Sequence, residues 1–68
     1  MVEVFKTNVQ KINDSKLLIR KLLEHFPNTR INFDLSDCDK ILRAEGENIL
    51  PEKIVELVSS SGYYAEPL

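Results

Sequence analysis

Few side chains in this sequence carry reactive chemistry, and their spacing keeps most of them apart. One cysteine, Cys38, sits between Asp37 and Asp39. A single cysteine allows no disulfide and no multi-cysteine metal site within one chain. Three metal arrangements can be drawn around it: Cys38 with Asp37 and Asp39, Cys38 with Tyr63, or Cys38 of two chains. Its acidic neighbours oppose the thiolate that a soft metal requires, so the plainer reading is an exposed turn cysteine. The lone histidine, His25, lies eleven residues after Asp14. Along a helix that is roughly 16 Å, too far to chelate together, and it reads instead as a helix-end histidine facing the negative pole of the helix dipole. Asp37/Asp39 and Glu45/Glu47 are paired acids, but they fall on turns with nothing concave expected nearby. There is no Ser/His/Asp arrangement and no glycine-rich phosphate loop. The expectation is a non-enzymatic chain without a cofactor.

The elements that position these residues follow from periodicity. Val2 to Val9 reads as a first strand in which Val2 and Val4 alternate with Glu3 while Phe5 blurs the period; two apolar faces suit a central strand whose back is partly covered or whose start is irregular. Asn8 to Asn13 is loop-like, with Val9 and Ile12 pointing inward. A helix follows, capped at Asn13, with Asp14 in its first turn where a negative charge suits the dipole. Leu18, Leu22 and His25 share one line and Ile19, Leu23 and Phe26 the next; with Ile12 and Ser15 they form one broad face. Arg20, Lys21 and Glu24 fall outside it, Lys16 lies near its edge, and Leu17 is an apolar residue left over. Pro27 ends the helix.

Arg30 to Leu35 alternates cleanly, with Ile31, Phe33 and Leu35 inward and Arg30, Asn32 and Asp34 outward. Ser36 to Asp39 is a turn by composition. Lys40 to Glu45 is a third strand of ambiguous register, with Leu42 and Ala44 favoured as its inner residues. A second helix starts at Leu50-Pro51-Glu52-Lys53, Pro51 lying where no amide is needed, and buries Ile54, Val55, Leu57 and Val58. Gly62 is its left-handed stop. Tyr63 to Leu68 is a last strand, ended by Pro67. Of the adjacent Tyr63 and Tyr64, one faces the core and the other is exposed.

The order strand, helix, strand, strand, helix, strand predicts an α+β, ferredoxin-like βαββαβ sandwich: a four-stranded antiparallel sheet with two helices on one face. Residues 1–68 make one domain. Hydrophobic residues at 43% suffice for one thin core. In a chain this small the ordering cost nearly offsets the buried area, so most strong hydrophobes must serve the core. This topology brings the loop before the first helix, the Ser36–Asp39 turn and the Gly62-Tyr63 turn to one end. Two strand spacings of ~4.8 Å each still separate Cys38 from the far side of that end, against a shared site within one chain.

Asn32-Phe33-Asp34-Leu35, Leu50-Pro51-Glu52-Lys53-Ile54 and Ser61-Gly62-Tyr63-Tyr64-Ala65-Glu66 resemble segments of the heavy-metal-associated domain family, which includes small copper chaperones. The resemblance covers nearly the whole chain. The family's signature, Met-x-Cys-x-x-Cys before the first helix, falls on Val9, Lys11 and Asp14. Val9 keeps the apolar role of the Met, but both thiols are gone. Lysine repels a copper ion, and a lone carboxylate is a hard, weak ligand for it. The resemblance therefore implies a scaffold without its ordinary metal site. Family members dock partners through this end, which makes Lys11, Asp14, Lys16, Leu17 and Tyr63 the candidate partner contacts.

The expected function is a metal-independent protein-interaction or regulatory module, with a protein partner and a homodimer, through a sheet edge, left open. The alternative is copper or zinc handling at an atypical site using Cys38 between chains. Nine basic and eleven acidic residues give a net charge of −2. With Arg30, Asn32 and Asp34 on the outer sheet face in place of exposed aromatics, no nucleic-acid binding is expected. No apolar run approaches the ~20 residues of a membrane span, and Met1 to Lys6 reads as a strand and not a signal peptide, so a cytoplasmic protein without membrane insertion is the default.

Overall fold

A computed structural model describes residues 1–68. The elements in order are β1 (Val2–Thr7), α1 (Ile12–His25), β2 (Arg30–Asp34), β3 (Ile41–Glu45), α2 (Pro51–Ser60) and β4 (Ala65–Pro67). The sheet order is β2-β3-β1-β4 and every pairing is antiparallel. Both helices cover one sheet face. This is the ferredoxin-like arrangement read from the element order.

Register shows which residues face the helices. Phe5 pairs with Leu42, and Leu42 with Phe33. Phe5 and Leu42 are wholly buried, joined by Leu22, Ala44, Ile54, Leu57 and Val58, while Phe33 packs against them from the edge. Partners in an antiparallel pair point to the same side. Val2, opposite Glu45, and Val4, opposite Arg43, therefore lie on the open face. The apolar alternation of Val2 and Val4 marks the outside of a central strand, and Phe5 and Thr7 supply its inside. On β3 the favoured register holds, with Leu42 and Ala44 buried.

Several boundaries differ from expectation for local reasons. The first strand stops at Thr7, because Thr7 turns its backbone and side chain to the β2–β3 turn. Its third-strand partner begins at Ile41, since Lys40 adopts a left-handed φ of 49° that no strand residue holds. β2 ends at Asp34, whose Oδ1 accepts from the Ser36 amide and hydroxyl and so starts the turn. That hydroxyl bond, aided by the Ser36 and Asp37 amides, holds the Asp34 carboxyl below the usual carboxylate range. β4 is shorter than expected, running only from Ala65 to Pro67.

The start of α1 is the clearest correction. Lys11, not Asn13, is the N-cap, and it makes no side-chain capping bond. The Lys11 carbonyl already takes the Ser15 amide, which places Asn13 inside the first turn. Ile12, expected inward, is 64% exposed. Helical side chains lean toward the N-terminus, so the first helical residue projects past the end of the helix. His25 is exposed and does not join the buried line of Leu18 and Leu22. Its Nδ1 lies 3.3 Å from the Lys21 carbonyl.

α2 starts as expected, with Pro51 in its first turn. Ile49 and Ile54, both buried, occupy the N′ and N4 positions at which a hydrophobic staple fixes the entry of the chain into a helix. Gly62 adopts φ +92°, the left-handed stop that only glycine takes without strain.

Candidate functional site

The loop between β1 and α1 is held by side chains whose own sequence gives little sign of it. Thr7 is 3% exposed; its hydroxyl donates to the Lys40 carbonyl at 2.6 Å and accepts from the Val9 amide at 3.2 Å. The Thr7 amide reaches the Asp39 and Lys40 carbonyls. The loop and the β2–β3 turn are thereby one unit, with Val9 wholly buried beneath it. Asn8 ties the other side, its Oδ1 accepting the Tyr64 amide at 2.9 Å. Thr7→Val keeps the shape and strands the Val9 amide, so it should lower stability by about 1–3 kcal/mol in chemical denaturation, whereas an unchanged midpoint would mean that the bond contributes nothing.

Beside this loop, α1 and the end of α2 enclose a groove of about 290 Å³ lined by Asp14, Leu17, Leu18, Lys21, Ser61 and Tyr63. Lys21, placed by helical periodicity outside the buried face, is half-buried here. Its ammonium donates to the hydroxyls of Ser60 at 2.9 Å and Ser61 at 2.8 Å, joining the two helices. Those hydroxyls in turn donate to the Leu57 carbonyl near the end of α2. Asp14 lies two helical turns before Lys21, on the same line of α1.

Asp14 and Tyr63 meet across the mouth of the groove. The Tyr63 hydroxyl is held above its ordinary pKa of 10.0, first by the Asp14 carboxylate beside it, which favours the protonated phenol as an acceptor and by its negative charge, and then by partial desolvation. The neutral phenol is the form that the carboxylate favours. This contact therefore contributes stability below pH 10 and loses it as the phenol ionises at higher pH. Asp14→Asn should return the Tyr63 pKa toward 10, measured by tyrosinate absorbance with Tyr64→Phe as background so that one tyrosine titrates. No movement would show that Asp14 does not hold the phenol.

The five candidate contacts separate into two groups. Asp14, Leu17 and Tyr63 line the groove, with Leu17 63% exposed along its rim. Lys11 and Lys16 are exposed but take no part in its lining. Lys11 and Asp14 form no ion pair; the carboxylate faces the tyrosine instead. Tyr64 is the more exposed tyrosine, at 46%, while Tyr63 packs against the core.

Cys38 is exposed on the β2–β3 turn. The ligand atoms of Asp37, Cys38 and Asp39 lie within 4.8 Å of one another. Two of them already serve the turn: Asp37 Oδ1 accepts the Asp39 amide at 2.8 Å, and Asp39 pairs with Lys6 at 3.9 Å.

A second, larger concavity of about 650 Å³ lies at the other end of α1, between the α1–β2 and β3–α2 loops. It corrects the expectation that nothing concave lies near Glu45/Glu47, because Glu47 lines it with His25, Asn28, Thr29 and Asn48. The two loops touch at Gly46, where a Cβ would stand 2.7 Å from the Thr29 methyl.

Comparison with protein-family models, curated proteins and solved structures finds no match to the chain. The chain has the ferredoxin-like βαββαβ fold, with a single cysteine and no Cys-x-x-Cys. No helix is long and apolar enough to cross a membrane.

Proposed function

We propose that this chain is a non-enzymatic, metal-independent protein-interaction or regulatory module on a heavy-metal-associated-like scaffold, working in the cytoplasm. The observation that carries this reading is the groove in which Asp14, Leu17 and Tyr63 converge beside the β1–α1 loop. It presents a carboxylate, a phenol and an exposed leucine over an apolar floor. That mixture suits an amphipathic contact. In the resembling family the same loop holds two thiols; here Lys11 and Asp14 stand in their places. A lysine at the first ligand position disfavours a soft cation and favours an acidic group on a protein partner.

Affinity capture with the wild type against Lys11→Ala/Asp14→Ala tests this reading. Loss of the captured partner in the variant, with the fold intact, is the expected result. Equal recovery would reject the loop and groove as the docking site.

A second reading, residual copper or zinc binding, draws on the Asp37–Cys38–Asp39 cluster. It requires Cys38 from two chains to complete a soft site, and Cys38→Ser then abolishes metal binding while leaving the fold unchanged. The hydrogen bond to Asp37 and the Lys6 pair on Asp39 weigh against it.

A further inference from the structure

The two edges of the sheet are unlike. β4 is three residues long and closes with Pro67, which offers no amide to a further strand. β2 is five residues long, Arg30-Ile31-Asn32-Phe33-Asp34, with no proline, lysine or bulge to blunt it.

Its free edge can be read from the ladder. Gly46 donates to the Met1 carbonyl and Thr7 to the Lys40 carbonyl. Hydrogen-bonded pairs alternate along an antiparallel ladder, so β3 bonds β1 through Leu42 and Ala44 and bonds β2 through Ile41, Arg43 and Glu45. Their partners on β2 are Asp34, Asn32 and Arg30. Ile31 and Phe33 therefore direct their N–H and C=O groups outward, and no turn or loop bond reaches either of them.

The strand is self-complementary in reverse. Laid antiparallel on a second copy about a two-fold axis at Asn32, Arg30 faces Asp34 and Ile31 faces Phe33. Ile31 and Phe33 are then the hydrogen-bonding pair on both copies, as the open edge requires. Shifting the register by a step of two loses the Arg30–Asp34 match at both ends. Neither Arg30 nor Asp34 has an ion-pair partner within the chain, and both are exposed. Beside this edge, Ile19 and Leu23 lie on the flank of α1 opposite Lys21, and both are only half-buried, as are Ile31 and Phe33. Two apolar rims thus meet across the axis on the helix side, and two ion pairs on the open side.

We propose that this chain pairs with a second copy of itself through β2, antiparallel about Asn32, to extend the sheet across both protomers. A one-strand interface buries less than the ~1,200 Å² of standard specific complexes, so the dimer is concentration-dependent. The antiparallel arrangement sends the two Cys38 turns to opposite ends, so no disulfide is involved. This surface is separate from the Asp14–Tyr63 groove, and its test stands independently of the function proposed above.

Sedimentation velocity in reductant, at concentrations up to ~1 mM, reads the association directly. The wild-type mass should rise from 7.8 kDa toward twice that value. Arg30→Asp makes both strand ends acidic and Asp34→Arg makes both basic; each alone should weaken the dimer more than ~10-fold. An equimolar mixture of the two variants should restore association, because acidic ends then face basic ones. Circular dichroism confirms that each variant is folded, and recovery in the mixture could not come from unfolded chains. A wild type that stays monomeric, a dimer that reductant dissolves, charge reversals without effect, or a mixture that fails to associate would each overturn the proposal.

Discussion

Phe5→Ala is expected to cost about 3–5 kcal/mol, the largest loss of any single truncation in this chain. Phe5 lies on the central strand, wholly buried, with Leu42 opposite it and the core residues of both helices above. A chain of this size has a total stability of about 3–10 kcal/mol. The substitution therefore removes a large share of what holds the fold, and the variant's denaturation midpoint should fall far below that of the wild type. A folded Phe5→Ala with a midpoint near wild type would mean that the sheet and helices do not close over this ring. Val2→Ala and Val4→Ala on the same strand serve as the contrast, since both sit on the open face and should cost far less.

The second large effect is a gain. If the β1–α1 loop is a metal loop that has lost its ligands, the backbone there should still serve thiols placed upon it. Lys11 caps α1 and Asp14 lies in its first turn, three residues apart, a separation that brings side chains together at a helix start. Lys11→Cys/Asp14→Cys should therefore bind one Cu(I) per chain against a chelator that strips the ion from wild type, because a dithiolate suits the soft ion where an ammonium and a carboxylate do not. Failure of the double variant to bind, with its fold intact, would show that this loop lacks the shape of the resembling family and remove the basis for reading it as a lost metal site.

The fold was legible because its strongest signals are local. Arg30 to Asp34 alternates without exception, Pro27 and Gly62 mark helix ends, and Pro51 marks a start, each through its own backbone chemistry. Errors arose where tertiary bonds decide. Three residues able to cap a helix, Asn13, Asp14 and Ser15, follow one another, yet the start is set by Thr7 drawing the loop onto Lys40. On β1 the alternation of Val2 and Val4 left their facing open, and the pairing of Phe5 with Leu42 turns them outward.

The candidate site was legible only in parts. Asp14, Leu17 and Tyr63 stood out singly, as a first-turn acid, a surplus leucine and one of two adjacent tyrosines. Their convergence joins the start of α1 to the residue after Gly62 and appears only once α2 lies against α1. Lys21 was hidden for the same reason: periodicity puts it on the solvent side of α1, and Ser60 and Ser61 meet it there. That serine run at a helix end was the available signal. The cavity beside Glu47 belongs to two loops brought together by the β2–β3 register, which no short-range pattern encodes.

Titration of the wild-type protein with Cu(I) and with Zn²⁺, each against a competing chelator, tests the central claim most directly. The chelator should keep both metals, and Cys38→Ser should change nothing. Tight binding of one copper per chain by the wild type would contradict it.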